Sequence, residues 1–99
     1  LRAVYRSGTR YVETALQTIN SMNKAILLSQ KNAVDANEDI KYLRKQLIIG
    51  QSTLDSVLSA EARLYEAESK EINFKAERLN AQLGLLAALG LLSDTFKIQ

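Results

Sequence analysis

Apolar and small residues recur through the first half of the chain at steps that alternate between three and four without a slip. The members of this series are Val12, Ala15, Ile19, Met22, Ile26, Ser29, Ala33, Ala36, Ile40, Leu43 and Leu47. This spacing is that of a heptad seam, which is typical of a coiled coil rather than of a helix on a globular core. Because several members are small, a partner helix can approach closely. The pattern predicts one long helix over residues 1–49.

The second half carries two apolar series, each with a repeat of seven residues. The first series is Leu58, Tyr65, Ile72, Leu79 and Leu86. The second series is Ala60, Ala67, Phe74, Ala81 and Ala88, with Val57, Leu64 and Leu85 beside it. Two residues turn a helix by about 200°, so the two series lie on nearly opposite sides and need two partners. This arrangement favours a helix in the wall of a closed ring or in the middle of a bundle. On a lone hairpin, one stripe would be an association surface.

A single glycine, Gly50, separates the two helical patterns. It occupies the next position of the first seam, where a residue with left-handed backbone would close the helix, and glycine takes that conformation without strain. The basic residues Lys41, Arg44 and Lys45 precede it and complement the negative end of a helix dipole. Gly50 is therefore predicted to end the first helix.

A start signal for the second helix follows almost at once. Ser52 is a good N-cap, and Asp55 three residues later would complete a capping box, while Thr53 is an alternative cap. Stop and start signals this close predict a tight reversal rather than a kink. The expected organisation is a descending helix over 1–49, a hairpin tip over 50–53, an ascending helix over 54–92 and an irregular tail over 93–99.

Composition and charge narrow the classes of protein further. The chain has 99 residues, 46% of them hydrophobic, and contains no Cys, His, Pro or Trp, which excludes a disordered chain, a disulfide scaffold and a Cys/His metal site. A net charge of +2 argues against nucleic-acid binding. The longest apolar run, over residues 83–92, is too short to cross a bilayer, which takes about 20 residues. The opening residues do not resemble a signal peptide.

The sequence offers little that could carry a reaction. Asp35, Glu38 and Asp39 form an acidic cluster, which at this spacing is typical of a solvated helix face. With no histidine, cysteine or glycine-rich phosphate loop beside it, neither a catalytic residue nor a metal ligand is predicted. We expect a protein that is not an enzyme and that needs no cofactor.

Several stretches resemble one known family. The string IIGQSTLDSVLSAEARLYEAE at residues 48–68, the ending LLAALGLL, and ALQTINSMNKAILLSQ in the first helix look like the carboxy-terminal hairpin of the TolC family of outer-membrane efflux and secretion ducts. The resemblance implies an all-α, long antiparallel coiled-coil hairpin that is part of a trimeric α-barrel tunnel in the periplasm. It also implies a piece of a longer protein, so that any membrane contact is made by parts absent from this chain.

The resemblance assigns roles to the tip. In the family, the tip groove meets the hairpins of a periplasmic adaptor protein, which links the channel to an inner-membrane pump. The matching positions here are Ile49, Gly50, Gln51, Ser52 and Thr53.

Residues beside the tip match family positions that close the tunnel entrance. The gate candidates here are Leu47, Ser52, Asp55, Ser56 and Ser59. Ser56 and Ser59 stand where some members have carboxylates, and Leu47 and Ser52 stand where some have Tyr and Arg, so this chain departs from both the acidic ring and that latch.

The predicted function is therefore passive conduction. The chain is expected to be a tunnel-wall hairpin of an outer-membrane channel for efflux or type I secretion, with a tip that docks an adaptor and gates the entrance. A cytosolic coiled-coil arm that binds one protein partner through its tip is the leading alternative. An adaptor-type hairpin is a third, although the flanks show no β-rich halves.

Overall fold

The chain is all-helical in the computed structural model, which describes residues 2–98 and the side chains of residues 2–94. Over these residues it forms two helices, α1 (Arg2–Ile48) and α2 (Leu54–Ile98), and no strand. The predicted all-α helical hairpin is confirmed. The contacts divide the chain into two compact units: a tip unit, Ala25–Asn73, and a terminal unit made of the residues up to Lys24 and those from Phe74 onward.

The core of the tip unit is formed by the predicted seam of α1 and by the residues of α2 that pack against it. Its buried residues are Ile26, Ser29, Ala36, Ile40, Val57, Ala60 and Ala67. The remaining seam members of this unit, Ala33, Leu43 and Leu47, are half-buried. Two ion pairs join the helices, Arg44 with Glu61 and Asp39 with Arg63. The residue later in α1, Arg44, pairs with the residue earlier in α2, Glu61. The two helices of this unit therefore run antiparallel.

In the terminal unit, the same seam continues with Ala15 buried and Val12, Ile19 and Met22 half-buried. Arg78 Nη1 donates a hydrogen bond to Asn23 Oδ1 across the helices at 2.9 Å. Tyr11 packs over Gly84 so closely that a Cβ there would overlap the tyrosine hydroxyl. Gly84 is therefore a site of close helix packing.

The expected irregular tail over 93–99 is wrong as far as residue 98, because α2 continues to Ile98. Gly90 does not stop the helix. Among the described residues, Gly50 is the glycine with positive φ, whereas Gly90 keeps helical backbone. The stretch after Gly90 also contains no proline that would break the hydrogen-bond ladder. Residue 99 lies outside the described residues.

Candidate functional site

The turn between α1 and α2 is closed by backbone hydrogen bonds around Gly50. This residue has φ 77°, the left-handed conformation predicted from the sequence. Its N–H donates to the carbonyl of Leu47 at 3.1 Å, and the N–H of Gln51 donates to the carbonyl of Gln46 at 2.7 Å. These two bonds make a Schellman motif with Gly50 at C′, which satisfies the carbonyls of Gln46 and Leu47 at the end of α1.

The start of α2 is capped by Thr53, and the predicted capping box of Ser52 with Asp55 is wrong. Thr53 Oγ1 accepts a hydrogen bond from the N–H of Ser56 at 3.1 Å, the N3 position of a helix that begins at Leu54. Ser52 lies one residue too early for this bond. Its Oγ instead donates to the carbonyl of Leu43 at 2.8 Å and ties the turn back to α1.

We expect Thr53→Ala to lower the free energy of unfolding by about 1 kcal/mol, because it removes the hydrogen bond to the Ser56 N–H. Urea unfolding followed by circular dichroism measures this change. Ser59→Ala is the matched control, since Ser59 is an exposed serine within α2. Equal losses in the two variants would show that Thr53 does not cap the helix.

The residues matched to the adaptor-contacting tip lie together in this one turn. Ile49, Gly50, Gln51 and Thr53 are exposed, and Ser52 is half-buried by its bond to α1. A Cβ on Gly50 would meet nothing within 4 Å, so the space above its backbone is open to an approaching molecule. The tip therefore offers an accessible backbone apex at Gly50, with Ile49 and Gln51 on either side of it.

Two apolar side chains beside the tip were missed by the sequence reasoning. Ile48 is 85% exposed and Leu54 is also largely exposed, so with Ile49 they make the apex partly apolar. The signal was present in the pair of consecutive isoleucines, because only one side of α1 can face the seam. Ile48 and Leu54 therefore join the candidate contact residues.

The five gate candidates differ in exposure. Leu47 and Ser52 are half-buried against the helix pair, whereas Asp55, Ser56 and Ser59 are exposed on the first turns of α2. Ser56 shares a hydrogen bond with the Thr53 hydroxyl at 2.9 Å. Their role at an entrance stays a prediction.

The second candidate surface is the large-residue series of α2. Leu58, Tyr65 and Ile72 in the tip unit, and Leu79 and Leu86 in the terminal unit, are 52 to 74% exposed. The opposite series faces α1, with Ala60 and Ala67 buried and Phe74, Ala81 and Ala88 half-buried. The two stripes predicted from the repeat are thus present on α2, and α1 covers one of them.

Several charged side chains of the tip unit form exposed pairs. Asp39, a member of the acidic cluster, accepts a hydrogen bond from Arg63 at 3.3 Å, and Lys70 pairs with Glu66 at 3.2 Å. Exposed pairs of this kind contribute little to stability, at most about 1 kcal/mol each. Over the part of the chain that the structure describes, no group of three or more acidic side chains is placed to hold a metal ion. Neither helix has, within those residues, a stretch long and apolar enough to cross a membrane.

Sequence comparison finds similarity to a protein of the family that the motifs resemble. Over 94 residues, which are 95% of this chain, 27% of positions are identical to the outer membrane protein TolC of Escherichia coli (strain K12). The chain is similar to TolC. The TolC of Salmonella enteritidis matches with the same identity over the same share of the chain. No family model matches the sequence, and no solved structure matches it significantly.

The aligned region covers the whole hairpin. An alignment of 94 residues in a chain of 99 includes both helices and the tip. The chain spans 19% of the length of either TolC, so it corresponds to about a fifth of those proteins. The resemblance to the TolC family that the motifs indicate is confirmed at this level.

Proposed function

We propose that this chain is a periplasmic hairpin in the wall of a TolC-like outer-membrane channel. Three copies of the protein that carries it form the tunnel, which conducts drugs or secreted proteins that an inner-membrane pump supplies. The hairpin conducts passively, performs no reaction and uses no cofactor.

The observation that carries this proposal is the exposed stripe of α2. A helix in a closed ring has a neighbour on each side, and α2 has two opposed stripes of which α1 covers one. Large exposed residues such as Tyr65 and Ile72, repeated every seven residues, favour a second helix as the cover rather than solvent. Together with the similarity to TolC, this supports a wall element over an isolated arm.

The tip supports a docking role. The partner is a periplasmic adaptor protein, and its contact residues are Ile49, Gly50, Gln51, Ser52 and Thr53, with Ile48 and Leu54 beside them. Close approach of another backbone needs an apex with no side chain, which Gly50 provides. Movement of the tip opens the entrance, where Leu47, Ser52, Asp55, Ser56 and Ser59 are the gate candidates.

A pair of glutamate substitutions tests the wall. In the protein that carries this hairpin, Ile72→Glu is expected to abolish trimers and drug efflux, because it places a charge on the exposed stripe. Ser21→Glu is the matched control, since Ser21 is exposed on α1 outside the stripe. Cross-linking of membranes measures the trimer, and drug accumulation in cells without another channel measures efflux.

The experiment with Ile72→Glu can also contradict the proposal. Normal trimers and normal efflux in Ile72→Glu would show that the stripe faces solvent in the assembled protein. The wall would then be the wrong assignment, and the chain would fit an arm that binds one protein partner through its tip.

A further inference from the structure

A polar groove lies between α1 and α2 in the tip unit, with a volume of about 340 Å³. Two of its lining residues are the buried alanines Ala36 and Ala67. The others are polar and exposed, and they are Asn32, Asp35, Arg63, Glu66 and Lys70. Covering these charged side chains with an apolar helix would be costly, because they would lose their contact with water. The groove therefore favours a water-filled surrounding.

On α2, the groove belongs to a side that is polar along the whole tip unit. Residues seven apart lie on the same side of a helix, and two neighbouring rows of α2 meet the groove. One row is Ser56, Arg63 and Lys70, and the next row is Ser59, Glu66 and Asn73. All six residues are exposed. We call these six residues the groove side of α2.

The opposite side of the tip unit is more apolar. The ion pair of Arg44 with Glu61 marks this side, since Glu61 precedes Arg63 by two residues and so lies about 200° away around α2. Rows of large exposed apolar residues lie beside this pair on both helices, and they are Leu27, Val34, Ile48, Leu58, Tyr65 and Ile72. Near the groove, α1 exposes Leu28 and Tyr42, whereas the six residues of the groove side are all polar.

The charges around the groove compensate one another. Arg63 donates a hydrogen bond to Asp39 at 3.3 Å, and Lys70 Nζ lies 3.2 Å from Glu66 Oε1. Together with Asp35, this surface carries three carboxylates and two cations, so its net charge is −1. Opposite charges this close largely cancel each other's field within the Debye length, which is about 8 Å at physiological salt. The groove therefore presents no strong potential of either sign.

We propose that the groove side of α2 faces the water-filled tunnel of the channel, and that its compensated charges let solutes of either sign pass this stretch. The inference rests on the proposed function, in which neighbouring helices of the wall cover the two apolar stripes of α2. Those stripes leave two sides of α2 uncovered, and a tunnel for polar solutes needs the side that stays polar along its length. A row of unpaired carboxylates would instead concentrate cations.

Thiol modification tests which side faces the tunnel. In the protein that carries this hairpin, Glu66→Cys and Glu68→Cys remove the same exposed side chain from the two sides, because Glu68 lies seven residues from Glu61. A bulky thiol reagent is added to single channels in planar lipid bilayers, and mass spectrometry confirms that both cysteines react. We expect a stepwise loss of conductance for Glu66→Cys, one step for each copy, and no loss for Glu68→Cys. The unsubstituted protein, treated alike, corrects for cysteines elsewhere.

A pair of charge reversals tests the compensation. Arg63→Glu and Arg44→Glu each remove an exposed ion pair between the helices, one on each side of the tip unit. Arg63→Glu replaces a cation by a carboxylate, which takes the charge around the groove from −1 to −3 in each copy. We expect its reversal potential in a potassium chloride gradient to shift toward cation selectivity. Arg44→Glu should leave the reversal potential unchanged, and cross-linking shows that both variants form trimers.

The two experiments can overturn the inference while leaving the channel in place. Responses of Glu68→Cys and Arg44→Glu in place of Glu66→Cys and Arg63→Glu would show that the other side faces the tunnel. Equal responses on the two sides, or none on either, would overturn the inference as well. A protein that forms trimers but no conducting pore would instead overturn the proposed function, and this inference with it.

Discussion

Replacing Ile40 with alanine is expected to lower the free energy of unfolding by about 2 to 4 kcal/mol, because it removes a buried side chain and leaves a cavity. Ile40 is 4% exposed in the core of the tip unit, between helices joined on either side by ion pairs. Urea unfolding of the chain at one fixed concentration, followed by circular dichroism, gives the free energy.

Val34→Ala is the matched control for this experiment. Val34 is also β-branched and lies in α1 but is 58% exposed, so its truncation should change the free energy of unfolding by about 0.5 kcal/mol or less. A change near zero for Ile40→Ala would mean that the two helices of the tip unit meet in another register. The heptad seam would then have to be redrawn.

The second large effect is expected at the apex of the turn. In the protein that carries this hairpin, Gly50→Glu should leave the amount of trimer normal but remove efflux or secretion and weaken adaptor cross-linking. The positive φ of Gly50 adds strain of about 1 to 2 kcal/mol for a residue with a Cβ, which a long helical hairpin tolerates. The charged side chain would occupy the open space above the apex, where we propose that the adaptor approaches.

Gly50→Asn separates docking from turn formation, because asparagine adopts the left-handed conformation readily and carries no charge. If Gly50 serves only to end the helix, the Asn variant should transport fully. Transport and adaptor capture are measured at matched expression of both variants. Full activity of Gly50→Glu would remove the tip from the partner-binding surfaces and leave it as a turn.

The features that sequence predicted well depend on repetition or on a unique backbone requirement. The seam of α1 extends over eleven positions, so an error at one position would not have moved it, and every member is buried or half-buried. Gly50 was predicted correctly because a left-handed residue at a helix end excludes nearly all other residues. The two stripes of α2 follow from a period of seven in the same way.

The features that sequence predicted poorly depend on a choice between near-equal local options. Ser52 and Thr53 are both good caps one residue apart, and which of them caps α2 is decided by the tie from Ser52 to the Leu43 carbonyl in α1. No local pattern contains that contact. The end of α2 failed for a related reason, since Gly90 weakens a helix by only about 1 kcal/mol and need not end it.

The candidate site was predicted only in part. The resemblance to the TolC family predicts that Ile49 to Thr53 lie at one turn. The exposure of Ile48 and Leu54 depends on how far each helix extends toward the tip, which the motifs do not specify. The gate candidates separate into half-buried and exposed groups for the same reason. Single positions near a turn follow from its exact geometry, which a heptad pattern does not specify.

The hydrogen bonds of the turn also determine how a partner would bind. The backbone N–H groups of Gly50, Gln51 and Ser56 all donate hydrogen bonds within the hairpin. The Ser52 hydroxyl donates to the Leu43 carbonyl and so links the turn to α1. Fixing a free loop costs about 1 to 2 kcal/mol of backbone entropy per residue, and here folding of the hairpin has already fixed it. A docking protein therefore meets a surface that keeps its shape on contact. Its association rate should be set by diffusion and orientation, with no slow loop-ordering phase.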